Sequence, residues 1–376
     1  MTFHPNTTQT PPAVKVRHIA ILMPRLVMGG TERLSLSLAR EWTRLGHTVE
    51  FGVLSSEGEL ACDFRSQFTV VDFRARRLRH ALGSLIRYFR HSKAEIFLVQ
   101  MWPLSVIAVV AWWLAGKPGT LHLADHTHLS SHRANETFLL KWSIRLTYPL
   151  ATSIIAVSEG VRSDLQALSR LPASRIQVIY NAIPFELPPL LTKRKSLHDP
   201  ARLLAIGRLI PAKAHHLLLE AIARVRVHWP VSLTILGDGP LHDSLLEAAR
   251  KLGIDDCVSF SGFSPDPRPN LESADLLVLS STHEGFGLVL AEAMAFGLPV
   301  VSTDCPGGAA EVLDHGRYGV LVPVNDPDAL AEGILKGLAM KWDPKALQDR
   351  AKDFSLSTIA KHYLDHFERM ASSGKA

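Results

Sequence analysis

The chain has 376 residues, 47% of them hydrophobic and 20% charged, with a formal net charge of +5. That length exceeds what one hydrophobic core usually organises, so two domains are expected. No apolar run approaches the roughly 18–20 residues that a membrane-spanning helix needs. Three scattered cysteines, Cys62, Cys257 and Cys305, argue against a disulfide framework and fit a reducing cytoplasm.

Residues 1–16 are polar and Pro-rich and read as a disordered leader, without the apolar core of a signal peptide. An N-terminal domain is expected over 17–190. Its strands fall at 17–23, 48–54, 95–100, 120–125 and 153–157, with helices between them, the first starting near Thr31 after Gly29 and Gly30. Residues 74–93, RARRLRHALGSLIRYFRHSK, place Leu78, Leu82, Leu85, Ile86 and Phe89 on one helix face, with the arginines mostly elsewhere. The Pro-broken segment after 183 contains a linker at 191–200. A second domain follows over 201–355, with strands at 202–206, 231–236, 257–260, 275–279 and 299–303 and helices at 213–228 and 241–252. A final helix, within 356–376, is expected to pack back on the first domain. Such strand–helix alternation implies parallel sheets covered on both faces, so the fold class is α/β, with two Rossmann-like doubly wound domains facing each other across a cleft.

Charge separates the two halves. Residues 1–195 hold 24 Lys+Arg against 13 Asp+Glu, and residues 196–376 hold 17 against 23. The basic half is a candidate for facing anionic lipid or a phosphorylated acceptor, and residues 74–93 for docking on an anionic membrane surface. No recognised binding motif or aromatic–basic interleaving points to nucleic acid.

The most informative stretch is 280–308, SSTHEGFGLVLAEAMAFGLPVVSTDCPGG. A strand runs through Gly285-Phe286-Gly287 into a helix beginning near Leu288. Free N–H groups and the helix dipole there favour an anion, and glycine allows a phosphate close approach. Glu284 and Glu292 bracket the turn. Carboxylates beside a pyrophosphate bind hydroxyls, which sugars and riboses supply, so the segment suggests a nucleotide-sugar site.

Several ordered signatures join this block: MGGTERL (28–34), DHTHLS (125–130), AVSEGVRSDL (156–165), VIYNAI (178–183), IGRLIPAKAHHLLLEAI (206–222), ILGDGP (235–240) and VSFSGF (258–263). Together they resemble the family 4 retaining glycosyltransferases (glycosyl transferases group 1), from about residue 17 onward. The resemblance implies the GT-B fold and sugar transfer from a nucleotide-diphosphate sugar, UDP-linked rather than GDP-mannose. It implies a saccharide or lipid-linked acceptor in surface polysaccharide or lipopolysaccharide assembly, by a cytoplasmic protein peripheral on the inner face of the membrane.

By the same resemblance, Glu292 binds ribose hydroxyls and Glu284 binds hydroxyls of the donor sugar. Phe286, Gly287 and Leu288 offer backbone N–H groups, and Arg208 and Lys213 neutralise the departing diphosphate. Gly29 and Gly30 close over the donor, His126 lies beside the donor sugar, and Gly262, Phe263 and Gly285 complete the donor site. No metal and no other cofactor are expected. Ala212, Ala214, Ala309 and Ala310 depart from the family pattern. His122, His126, His128 and His132 mimic a zinc set in spacing but read better as polar loop positions. A sugar-nucleotide epimerase and an inactive sugar-binding scaffold are the competing readings. A dinucleotide oxidoreductase is disfavoured because Gly29-Gly30 lacks the G-x-G-x-x-G spacing.

Overall fold

The computed structural model describes residues 16–27, 29–75, 77–132, 137–189 and 197–373. Most of the leader, Met28, Arg76, residues 191–196 of the linker and 374–376 lie outside the described residues, as does the side chain of His132.

Two parallel sheets carry the chain. The first contains β1 (His18–Met23), β2 (Thr48–Val53), β3 (Thr69–Asp72), β4 (Ile96–Gln100), β5 (Thr120–Asp125), β6 (Ser153–Ala156) and β7 (Ile176–Val178), in the order β3-β2-β1-β4-β5-β6-β7. The second contains β8 (Ala201–Ile206), β9 (Val231–Leu236), β10 (Val258–Phe260), β11 (Leu276–Leu279), β12 (Val300–Thr303) and β13 (Val320–Val322), in the order β10-β9-β8-β11-β12-β13. Every recorded strand pair is parallel. Central strands such as β4, with all five residues buried, read as unbroken apolar runs because helices cover both faces. Strand order reverses between β1 and β4 in one sheet and between β8 and β11 in the other. Open α/β sheets bind ligands at the carboxyl ends of such strands.

The expected helix over 74–93 is shorter. Residues Leu78–Ala81 form a 3-10 turn and the α-helix covers Leu82–His91, with Leu85 and Phe89 buried against the sheet. Leu78, Leu82 and Ile86 are partly buried on the same side, while Arg77, Arg79, Arg87 and Arg90 are exposed.

The last helix, Leu356–Ser373, crosses back to the first domain. Trp42 Nε1 donates to the Ala360 carbonyl at 3.1 Å, and its ring meets Tyr363 and Phe367 edge-on. Ile359, Ala360, Tyr363 and Phe367 share one core with Ile19, Ile21 and Leu98. His366 Nε2 lies 2.8 Å from Ser153 Oγ. A domain bearing strands of one half therefore depends for its core on the last residues of the other.

Candidate active site

The loops after β8 and β11 meet at the second switch point. Thr282 N donates to the Ala212 carbonyl at 2.8 Å, and Ser280 Oγ donates to the Lys213 carbonyl at 2.8 Å. These bonds pin a short turn, Pro211–Lys213, against the strand end. Lys213 Nζ then pairs with Glu284 Oε1, which also accepts from Ser281 Oγ at 2.7 Å. Arg208 stands at the end of β8, exposed and with no ion pair among the described residues. The two expected cations thus differ: Lys213 is spoken for by a carboxylate, while Arg208 is open.

The turn after Glu284 is built from glycine for steric reasons. A β-carbon on Gly285 would overlap the His126 carbonyl oxygen, and one on Gly307 would overlap the Glu284 carbonyl. Gly287 precedes the helix Leu288–Ala295 at φ +82°, a left-handed conformation that disfavours any β-carbon. Phe286 buries its side chain against Tyr180 and Phe354, with ring centroids 5.4 and 5.3 Å apart. The N–H groups of Phe286, Gly287 and Leu288 find no protein acceptor among the described residues. They leave an anion-ready helix start beside Lys213 and Glu284.

Glu292 lies in the next turn of that helix, 5% exposed and without a hydrogen bond or ion pair among the described residues. Burial pushes its carboxyl up to about 7, against the opposing charge of Arg33. Arg33 belongs to the first domain, on the helix Gly30–Arg44, and its charge also reaches Asp266 beyond β10. Arg33 was not singled out in the sequence. Its signal was a place in the first turn of the helix that follows Gly29-Gly30. Glu32, also in that turn, is buried. Desolvation raises its pKa, opposed by a bond from its own backbone N–H and by the charge of Arg208 across the cleft. Gly29 leaves room for this carboxylate, which a β-carbon there would strike, whereas Gly30 faces open space.

His126, just past β5, is buried, with Nε2 2.5 Å from Gln100 Oε1 and Nδ1 3.1 Å from Asn181 Oδ1. Burial holds its pKa down to about 4, with the Asn181 bond opposing, so the ring is neutral at pH 7. A neutral imidazole has one N–H, so one of the two amides turns its NH2 to the ring. Both ring nitrogens are taken up by protein, and the atom His126 presents to the second domain is its carbonyl oxygen, packed on Gly285. The expectation of a side-chain contact to a donor sugar meets a ring held in place by Gln100 and Asn181. Gly262, at φ +70°, accepts from Gly237 N at 2.8 Å, and Phe263 beside it is 48% exposed at the carboxyl end of β10.

Among the described residues the histidine cluster does not converge. His122 bonds Ser153 and Thr120 and faces His366, while His128 lies near Asp164. Among the described residues no three His, Cys, Asp or Glu side chains form a metal-sized group. The chain has one Asp-x-Asp triplet, Asp326-Pro327-Asp328. Asp326 caps a helix by accepting from Ala329 N, and Asp328 pairs with Arg224, so the triplet is a surface helix start outside the site.

The two domains meet over the site. Ser158 Oγ donates to the Gly285 carbonyl at 2.7 Å. Glu311 of the second domain accepts from the N–H groups of Glu159 and Gly160, at 2.8 and 2.9 Å, at the start of the helix Glu159–Ser169. A carboxylate at a helix N-terminus is favoured by both the free N–H groups and the dipole.

A family model described as Glycosyltransferase Family 4 matches residues 28–187, and one described as Glycosyl transferases group 1 matches residues 200–340. The chain belongs to glycosyltransferase family 4. Its fold is the GT-B arrangement that the resemblance implied. The structure of Anabaena HepE in complex with UDP-glucose superposes with a TM-score of 0.77 at 21% identity, over 94% of this chain and 100% of that one. The galactosyltransferase WaaB, of the lipopolysaccharide outer core, gives 0.75 at 19% identity, over 96% and 100%. In sequence, this family 4 chain is 32% identical over 216 residues to the Campylobacter jejuni N-acetylgalactosamine-N,N'-diacetylbacillosaminyl-diphospho-undecaprenol 4-alpha-N-acetylgalactosaminyltransferase, covering 56% of this chain and 58% of that relative. It is 38% identical over 179 residues to the Rhizobium meliloti lipopolysaccharide core biosynthesis glycosyltransferase LpsE, covering 46% and 52%. The chain thus spans little more than half the length of the curated relatives it matches.

Proposed function

We propose that this chain is a retaining glycosyltransferase that moves a hexosyl or N-acetylhexosaminyl group from a UDP-sugar to a saccharide or lipid-linked acceptor in lipopolysaccharide or surface polysaccharide synthesis. The observation that carries this reading is the cluster at the second switch point. There the Lys213–Glu284–Ser281 network adjoins three N–H groups without an acceptor among the described residues, and Arg208 stands exposed at the end of β8. Glu292, buried and unpaired one helical turn away, is suited to ribose hydroxyls.

In the reaction the bond between the anomeric carbon and the diphosphate oxygen breaks, and its electron pair leaves with the phosphate. Arg208, Lys213 and the helix start stabilise that charge, so the chain's own cations take the place of a metal ion. The acceptor hydroxyl bonds to the same face of the sugar and gives its proton to a leaving phosphate oxygen. No carboxylate nucleophile is required, and Glu284, held by Lys213 and Ser281, serves to orient donor hydroxyls.

Two relatives' names support the substrates: HepE was captured with UDP-glucose, and the Campylobacter enzyme is named for a diphospho-undecaprenol acceptor. A place at a membrane surface is part of the proposal. No helix among the described residues is long and apolar enough to cross a membrane, and Arg74, Arg77, Arg79, Arg87, Arg90 and Lys93 are exposed on the first domain.

The test is a panel of UDP-, GDP-, ADP- and TDP-sugars, in EDTA, read by thermal shift and by donor hydrolysis. Stabilisation by UDP-sugars with slow hydrolysis, both lost in Glu292→Ala, is the expected result. A folded protein that responds to no sugar nucleotide would leave the scaffold reading standing. Conversion of one UDP-sugar into its epimer without an acceptor would favour the epimerase.

A further inference from the structure

The helices Leu104–Leu114 and Thr137–Thr147 lie side by side on the first domain. Trp102 Nε1 donates to Ser143 Oγ at 3.1 Å, and Trp113 Nε1 donates to the Leu150 carbonyl at 3.4 Å. Leu140 and Ile144 of the second helix are fully buried, which accounts for its attachment to the domain. Its other side is apolar too. Phe138 and Leu139 are each 72% exposed, Leu146 63% and Trp142 49%, and the Phe138 and Trp142 ring centroids lie 6.2 Å apart. Leu150, Trp113 and Leu114 extend the exposed surface at 41%, 44% and 54%. A helix in a water-facing position needs one apolar stripe. This one has two, and the outer stripe is unpartnered among the described residues.

The charges around the ridge say what covers it. Within residues 104–118 and 136–150 there are three cations, Lys117, Lys141 and Arg145, against one carboxylate, Glu136. Lys117 Nζ sits 4.1 Å over the Trp113 ring. Arg90, from the basic stretch, donates to the Leu114 carbonyl at 3.0 Å, so the arginine-rich helix borders the ridge. Exposed Trp and Phe flanked mainly by cations match the boundary between anionic headgroups and acyl chains. Two such faces from two copies would bring like charges together.

We propose that this ridge, Phe138, Leu139, Trp142 and Leu146 with Trp113 and Leu114, inserts into the surface of an anionic lipid bilayer, with Lys117, Lys141 and Arg90 at headgroup level. The geometry joins this to the cleft. A helix following a parallel strand starts at the carboxyl end of that strand, so Phe138 and Leu139 lie toward the cleft end of the domain and Leu146 away from it. A bilayer held by the ridge brings a lipid-linked acceptor to the rim of the site. The inference extends the membrane clause of the proposed function, and vesicle binding is read separately from donor binding.

The test is cosedimentation of the full chain with phosphatidylglycerol/phosphatidylethanolamine vesicles, and with pure phosphatidylcholine, at low and high salt. Wild type should bind the anionic vesicles and keep part of that binding at high salt, because apolar insertion is not screened. The triple variant Phe138→Ser, Leu139→Ser, Leu146→Ser should lose on the order of a hundredfold in affinity. Its melting temperature and its thermal shift with UDP-sugar should be unchanged, since these side chains contribute little to the core. Lys117→Glu with Lys141→Glu should weaken the low-salt component alone. Triple-variant binding equal to wild type overturns the proposal, as does absence of wild-type binding. Loss of a dimer in the variant, with no vesicle effect, would overturn it in favour of a self-interface. Vesicle binding without any sugar-nucleotide shift would remove the donor reading and leave this one standing.

Discussion

Glu292 makes a prediction that separates function from stability. In the unfolded chain its pKa is 4.5, and burial in the folded protein pushes it up to about 7. Below pH 4.5 both states hold the proton and the residue costs nothing. As pH rises from 4.5 to 7 the unfolded chain gives up its proton first, so folding stability falls through that window. Above pH 7 the full penalty is present, 1.36 kcal/mol per unit over the shift, or about 3 kcal/mol. Glu292→Gln keeps the shape but does not titrate, so its stability relative to wild type should climb by about that amount between pH 4.5 and pH 8. The assay is thermal unfolding of both proteins across that range, with a differential shift on the order of 5 °C. In the proposed donor site a ribose hydroxyl would donate to the ionised carboxylate, so function should move the opposite way: UDP should bind wild type more weakly as pH falls below 7, and the Gln variant weakly at every pH. If the melting difference between the two proteins stays flat with pH, Glu292 is not a buried, unpaired acid and the reasoning fails.

In the proposed mechanism Lys213→Ala would remove a fixed cation from the leaving diphosphate, and it should lower turnover by roughly 10²–10³, with uridine lacking phosphate bound as before. Equal loss of uridine binding would point to a misfolded loop instead. Gly285→Ala places a β-carbon into the His126 carbonyl and should hold the domains apart, costing on the order of a hundredfold in turnover while far-ultraviolet circular dichroism is unchanged. Ala214 stands at φ +46°, ψ +38°, where L-residues are strained, so Ala214→Gly should stabilise the second domain by about 1 kcal/mol in urea unfolding. A destabilised glycine variant would mean that the methyl packing at this buried position outweighs the strain.

Much of the architecture was legible because buried parallel strands are continuous apolar runs bounded by turn residues. β1, β4, β8 and β11 were visible for that reason. The strands not anticipated are β3, β7 and β13, of four, three and three residues. Each is too short for a periodicity to register. β3, β7 and β13 lie at or near sheet edges and gain their pairing from a neighbour rather than from their own composition.

The chemistry of the site was legible wherever it is local in the chain. Glycine at 285 and 287 and acids at 284 and 292 describe a strand–turn–helix anion site without any tertiary information, since the free N–H groups and the dipole belong to the helix itself. Partnership was not legible. Lys213 and Glu284 lie 71 residues apart, and Glu311 caps a helix some 150 residues away in the other domain. Arg33 acts on Glu292 only because the two sheets face each other. Nor does the order of residues show that His126 is locked between Gln100 and Asn181, or that Phe138 and Leu139 point outward while Leu140 points in. Local sequence determines which backbone segments can hold an anion, because that depends on hydrogen bonds within a few residues. Only the packing of two domains decides which charges meet there, because charge pairs and burial are set by distances in space that the chain order does not contain.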